Sequence, residues 1–216
     1  MINQYRTLLK SGVQEIVIDK SRFIGYAAPI SNEEEAVAFI EEIKKKHRNA
    51  THNVPVYIVG ERNEVQRYSD DGEPSGTAGV PILEVLKKED LRNVVVVVTR
   101  YFGGIKLGTG GLVRAYTKGV RVALDAGKII LKKMYETMSV TVDYTQLGKV
   151  QNEILQHGYT IKETKYDEAV HFIVYVKLED VSDFKKQIVE WTSSRCELNI
   201  VEKGYLTEID GEIIIE

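Results

Sequence analysis

The chain has 216 residues, 43% hydrophobic and 28% charged, with a formal net charge of −3. That balance excludes intrinsic disorder. The longest uninterrupted aliphatic run, Val94 to Val98, falls far short of the roughly 18 apolar residues a membrane helix requires. A single cysteine, Cys196, rules out an internal disulfide and a thiolate metal cage. With no apolar leader at the N-terminus, it points to a reducing, cytoplasmic setting, Cys196 itself reading as a buried strand residue.

Charge is unevenly spread. Residues 1–132 carry 20 Lys and Arg against 16 Asp and Glu, whereas residues 133–216 carry 9 against 16. An anionic partner would meet the front half.

Residues 12–30 alternate enough for two strands around Asp19-Lys20-Ser21. Residues 31–49 then read as a helix: Ser31 and Glu34 suit a capping box, and Lys44, Lys45, Lys46 and His47 complement the C-terminal end of the dipole. Ala36, Ile40 and Ile43 share its core face. Pro55–Gly60 and Glu64–Ser69 read as short strands, and Pro81–Lys88 has helical spacing. Asn93–Arg100 reads as a strand whose valines require burial on both faces.

Residues 100–119, RYFGGIKLGTGGLVRAYTKG, hold six of the chain's 17 glycines. No glycine precedes a Lys-Ser/Thr pair, so this is not a phosphate-binding P-loop, and Val113 occupies the place of the third glycine of a dinucleotide fingerprint. Leu112, Ala115, Tyr116, Gly119, Val120 and Ala123 give an apolar helix face that ends at Gly127. Arg114, Lys118 and Arg121 form a stripe on the opposite side. Cations in the first half of a helix oppose its dipole. Two explanations stand: a solvated face partly paired through Arg121 and Asp125, or an anion site. In the second, Gly108, Thr109, Gly110 and Gly111 bare their amides beside Arg100, Lys106, Arg114, Lys118 and Arg121.

Residues 127–131 read as one more strand. From Met134 the pattern restarts: a strand over 136–145, a helix over 147–158, a hairpin turning near Asp167-Glu168, a helix over 181–192 and a strand over 196–207. This βαββαβ order is the split βαβ arrangement. Residues 209–216 read as a frayed tail.

SDDGEPSGTAG, residues 69–79, is strong turn chemistry. Its Asp70, Asp71 and Glu73, with His52, also offer a conditional site for metal-assisted hydrolysis, although the spacing matches no metal code. His47 and His52 suit a helix-capping role better than a ligand role. No catalytic residue, resident metal or cofactor is expected.

HRNATHN at 47–53, SDDGEPSGTAGVPILEVL and VVVTRYFGGIKLGTGGLVRAYTKGV resemble the signature blocks of the IMPACT (YigZ) family over about residues 15–130, and the remainder is similar to the C-terminal domain of its bacterial members. The resemblance implies an α+β protein. Residues 1–132 would be a ribosomal protein S5 domain 2-like domain, 133–208 a ferredoxin-like βαββαβ domain and 209–216 a tail. It also implies a translation-linked role. Eukaryotic relatives restrain an amino-acid-starvation kinase by competing for its scaffold protein, and the domain pair resembles two late domains of the translocation elongation factor. The expected partner is RNA, the ribosome or a translation-associated protein rather than a membrane. A protein-interaction role for the C-terminal domain is the other alternative.

Overall fold

A computed structural model describes residues 2–209 and 211–214. The chain is an α+β protein with two compact units, Met1–Leu131 and Lys132–Glu216.

The first unit runs β1 (Gln4–Leu8), β2 (Gly12–Ile18), β3 (Ser21–Pro29), α1 (Glu33–Lys46), β4 (His52–Val59), β5 (Val65–Tyr68), α2 (Gly79–Lys88), β6 (Val94–Tyr101) and α3 (Gly108–Gly127). Five of these strands form an antiparallel sheet in the order β2-β3-β6-β4-β5. β1 escaped the reading of the sequence. It is tied at Arg6, whose carbonyl accepts from Arg92 N–H.

The valines of β6 explain the layering. Val94, Val96 and Val98 join Ile82, Leu86, Leu112 and Tyr116 beneath α2 and α3. Val97 packs with Ile43 and Phe39 of α1, and Val95 with Ala36. All five valines are fully buried, and each buried valine side chain contributes about 1.5–3 kcal/mol relative to exposure. α3 approaches the sheet closely because Gly25 and Gly119 face one another: a Cβ on Gly25 would lie 2.2 Å from Gly119 O.

Local signals shift by a residue or two. α1 is capped by Asn32, not Ser31; Glu35 N–H donates to Asn32 Oδ1 at 2.8 Å, and Ser31 N–H donates to Glu35 Oε2 at 2.7 Å. The capping box is the expected device, set one position later.

The second unit contains most of β7 (Ile129–Val142), then α4 (Leu147–Gln156), β8 (Thr160–Tyr166), β9 (Val170–Lys177), α5 (Val181–Thr192), β10 (Glu197–Ile209) and β11 (Glu212–Ile214). Its sheet is ordered β11-β10-β7-β9-β8, with the core built from Met138, Val140, Phe172, Val174, Phe184 and Ile188. Three expectations change here. The strands expected at 127–131 and 136–145 are one continuous strand, which starts at Ile129, after Gly127 has closed α3, and stops at Val142, before a 3-10 turn over Tyr144–Gln146. The end of the chain is not frayed where it is described, because Glu212–Ile214 pairs with Thr207–Ile209; the remaining tail residues Asp210, Ile215 and Glu216 lie outside the described residues. Cys196 sits half-buried just before β10 rather than within a buried strand.

Candidate nucleic-acid interface

α3 begins without a cap. Leu107 at its N-cap makes no side-chain hydrogen bond, and the first turn holds no carboxylate. The first N–H groups of a helix have no partner within it, and here Gly108, Thr109 and Gly110 are exposed, with Gly111 half-buried. Gly108 enters the helix at φ +67°, a conformation that favours glycine, and a Cβ there would meet nothing within 4 Å. Arg114 folds back over this turn, its Nη1 lying 3.6 Å from the place a Cβ of Gly110 would occupy.

Lys106, Arg114, Lys118 and Arg121 are exposed. Among the described residues none of them is held in an ion pair, and the expected contact between Arg121 and Asp125 is not made. Lys106 and Arg114 lie nearest the positive helix end, where an unpaired cation is disfavoured by about 0.3–1 kcal/mol and an anion reverses the sign, whereas Lys118 and Arg121 continue the basic stripe farther along α3.

Arg100 does not belong to this group. It is 5% exposed, and its Nη1 donates to Glu73 Oε1 at 2.6 Å, with Glu73 itself only 7% exposed. Tyr116 OH donates to the same oxygen at 2.8 Å. Burial first, and then the neighbouring Glu73 charge, push the Tyr116 phenol far above its ordinary range, so it remains a neutral donor. The guanidinium lies 5.5 Å from the ring centroids of both Phe23 and Phe102. Removing Arg100 from the phosphate-gripping set is a correction: its charge is already matched inside the protein. The Glu73 partnership escaped sequence reasoning, although an arginine ending a buried valine strand signals an internal carboxylate.

The acidic loop resolves into structural roles. Asp70 accepts from the N–H groups of Gly76 (2.8 Å), Ala78 (3.1 Å) and Gly79 (2.8 Å), closing the loop and satisfying the start of α2. Asp71 Oδ2 accepts from Asn53 N–H at 2.6 Å, and its Oδ1 faces Lys44 Nζ at 3.4 Å. His52 Nδ1 donates to the Asp71 carbonyl at 2.8 Å, while its Nε2 lies 3.6 Å from Glu73 Oε2. His52, Asp70, Asp71 and Glu73 therefore do not converge on one point. Among the described residues no three His, Cys, Asp or Glu side chains are placed to hold a metal ion.

His47 closes α1 through its backbone N–H, which donates to Ile43 O. Its ring does not cap. Instead Nε2 lies 2.5 Å from Tyr26 OH and Nδ1 2.9 Å from Tyr101 OH. Desolvation, then Lys46 and Arg22, hold its pKa below the ordinary value.

Comparison with known proteins supplies the family. Residues 19–124 match the Impact N-terminal domain, and residues 140–195 match a domain of unknown function, DUF1949. The chain is 47% identical over 213 residues to "IMPACT family member YvyE" of Bacillus subtilis, covering 99% of this chain and 98% of that protein. It is 34% identical to "IMPACT family member YigZ" of Escherichia coli, covering 86% of this chain and 92% of the relative. A solved structure, "Crystal structure of an hypothetical protein", superposes with a TM-score of 0.59 at 30% identity, covering 94% of this chain and 99% of the other. "Protein IMPACT" of Danio rerio is 37% identical over 106 residues, only 32% of its length. With residues 19–124 matching the Impact N-terminal domain and with bacterial relatives aligned over nearly their whole length, this chain belongs to the IMPACT family.

Proposed function

We propose that this protein is a translation-linked regulator that acts by binding rather than by catalysis, and that it holds RNA phosphates, free or within the ribosome, on its first unit. The contacts are the amides of the exposed Gly108, Thr109 and Gly110, with the half-buried Gly111 leaving the approach clear of a side chain, together with Lys106, Arg114, Lys118 and Arg121. The observation that carries the reading is the uncapped start of α3, with no carboxylate in its first turn and an arginine folded over it. Family membership supports the link to translation, and cytoplasmic localisation belongs to the same proposal. So do the domain assignments: residues 1–132 as an S5 domain 2-like domain, residues 133–208 as a ferredoxin-like domain, and a tail over 209–216. The order β10-β7-β9-β8 supports the second of these.

The test is the salt dependence of RNA binding by the full chain. Affinity should fall steeply with salt, and Arg114→Glu with Lys118→Glu should reduce the log–log slope by about 2, roughly one for each lost phosphate contact. Affinity indifferent to salt and to both substitutions would remove the proposal.

A second reading is favoured by β10, where Ile200 and Val201 are 54% and 59% exposed. In this reading the second unit docks a protein partner on that strand. Ile200→Lys with Val201→Lys should abolish capture of translation factors while leaving RNA affinity unchanged.

A further inference from the structure

We infer that Phe102 is a base-stacking platform and that the ligand of this surface is single-stranded RNA rather than a duplex. The inference rests on the phosphate-binding reading above and names the form of RNA it selects.

Phe102 is 48% exposed, yet it is firmly held. Its backbone N–H donates to Thr51 Oγ1 at 2.9 Å, and Thr51 N–H donates in turn to Arg100 O at 2.9 Å. These bonds clamp the chain just past the end of β6 to the segment that enters β4, and Gly103 N–H donates to Ser21 Oγ of β3 at 3.1 Å on the other side. The ring is supported from within by the Arg100 guanidinium, which Glu73 fixes in place. Arg100 is thus a positioning residue. Its charge never reaches a phosphate, but it holds the aromatic plane where a base can meet it.

The surroundings leave the ring open. Gly103 and Gly104 follow it without side chains, and a Cβ on Gly104 would meet nothing within 4 Å. Ile105 adds 42% exposed apolar surface. Cations lie on three connections that lead to or from this segment. Lys20 lies on the β2–β3 turn against which Gly103 packs, Arg48 precedes Thr51, and Lys106 follows Ile105; all three are exposed. Asp19 is the acidic residue of the same turn. An exposed ring held rigid beside cations can stack an unpaired base and attract its backbone. A duplex hides its base faces and offers such a ring nothing.

The experiment uses the full chain and anisotropy of a short labelled single-stranded RNA, the same RNA annealed to its complement, and inorganic polyphosphate as competitor. Phe102→Ala should weaken single-strand binding by about 5- to 150-fold, the loss of one stacked base. It should leave duplex affinity, polyphosphate competition and the salt slope unchanged. Phe102→Leu, which keeps apolar bulk and guards against misfolding, should show the same loss. Phe102→Trp should retain binding and show fluorescence quenching by single-stranded RNA beyond that of the wild-type Trp191.

Equal single-strand binding by the wild type and both truncations, or a wild-type preference for duplex, overturns the stacking inference and leaves the phosphate-binding reading standing. Failure of the wild type to bind either RNA overturns both.

Discussion

Arg100 and Glu73 meet at 2.6 Å with their side chains only 7% and 3% exposed, and the carboxylate is shared with Tyr116. Such a pair is asymmetric in its energetics. Taking two charges out of water offsets most of their attraction, but losing one partner strands the other in low dielectric. Glu73→Ala or Arg100→Ala alone should therefore destabilise the protein by about 3–5 kcal/mol. Glu73→Leu with Arg100→Met should cost much less than the sum of the single changes. Urea unfolding of the wild type, both alanine variants and the combined alanine variant measures the coupling, and additive losses would show that the pair is not a unit.

Asp70 makes a second prediction, on the loop above that pair. Its carboxylate accepts three backbone N–H groups, two of them from Ala78 and Gly79 at the entry to α2. Asp70→Ala should cost about 0.5–2 kcal/mol, the range for a lost helix cap, and more if the loop opens. Asp70→Asn keeps one acceptor oxygen and should fall between. Proteolysis within residues 70–78 would separate local opening from global unfolding.

The sequence made some of this legible and hid the rest for physical reasons. The burial of β6 was readable because a run of valines leaves no polar face. The helix faces were readable because Ala36, Ile43, Leu112, Tyr116 and Val120 keep helical spacing, and all are buried. The continuity of β7 was hidden by Lys132 and Lys133, which look like a break between strands, with Glu136 just beyond them. They are accommodated because Lys133 and Tyr135 pair with Glu208, and Lys203 approaches Glu136, across to β10. Arg100 was misread for a related reason. Its partner lies 27 residues away in a loop whose composition announces only a turn. Patterning reports burial, whereas charge pairing between distant segments leaves no periodic trace.

His47 predicts a pH dependence. Its ring bridges Tyr26 and Tyr101, and desolvation, Lys46 and Arg22 lower its pKa from the ordinary 6.5. Above pH 6.5 both folded and unfolded forms hold the ring neutral, and the full stability is present. As pH falls below that value the unfolded chain takes up the proton first, so stability declines until the folded pKa is passed. Thermal melts from pH 7.5 downward should show this loss, and His47→Gln should flatten that part of the profile while lowering the plateau. A profile identical in shape with and without His47 would show that the imidazole does not report this linkage.

Two glycines separate close packing from chain freedom. Gly25 lies on β3 with Gly119 O only 2.2 Å from where its Cβ would stand, and the Cβ of Ala123 at 2.9 Å. Backbone on the opposing side cannot rotate away, so Gly25→Ala must push α3 off the sheet, and overpacking of this kind costs about 1–3 kcal/mol or more. Gly148 in the first turn of α4 has open space where its Cβ would be and no positive φ. Gly148→Ala should stabilise by about 0.4–1 kcal/mol, because it restricts the unfolded chain without straining the helix. Denaturant midpoints of the two variants should move in opposite directions. A fall in both midpoints would remove the entropy argument at Gly148, and a rise in both would remove the contact argument at Gly25.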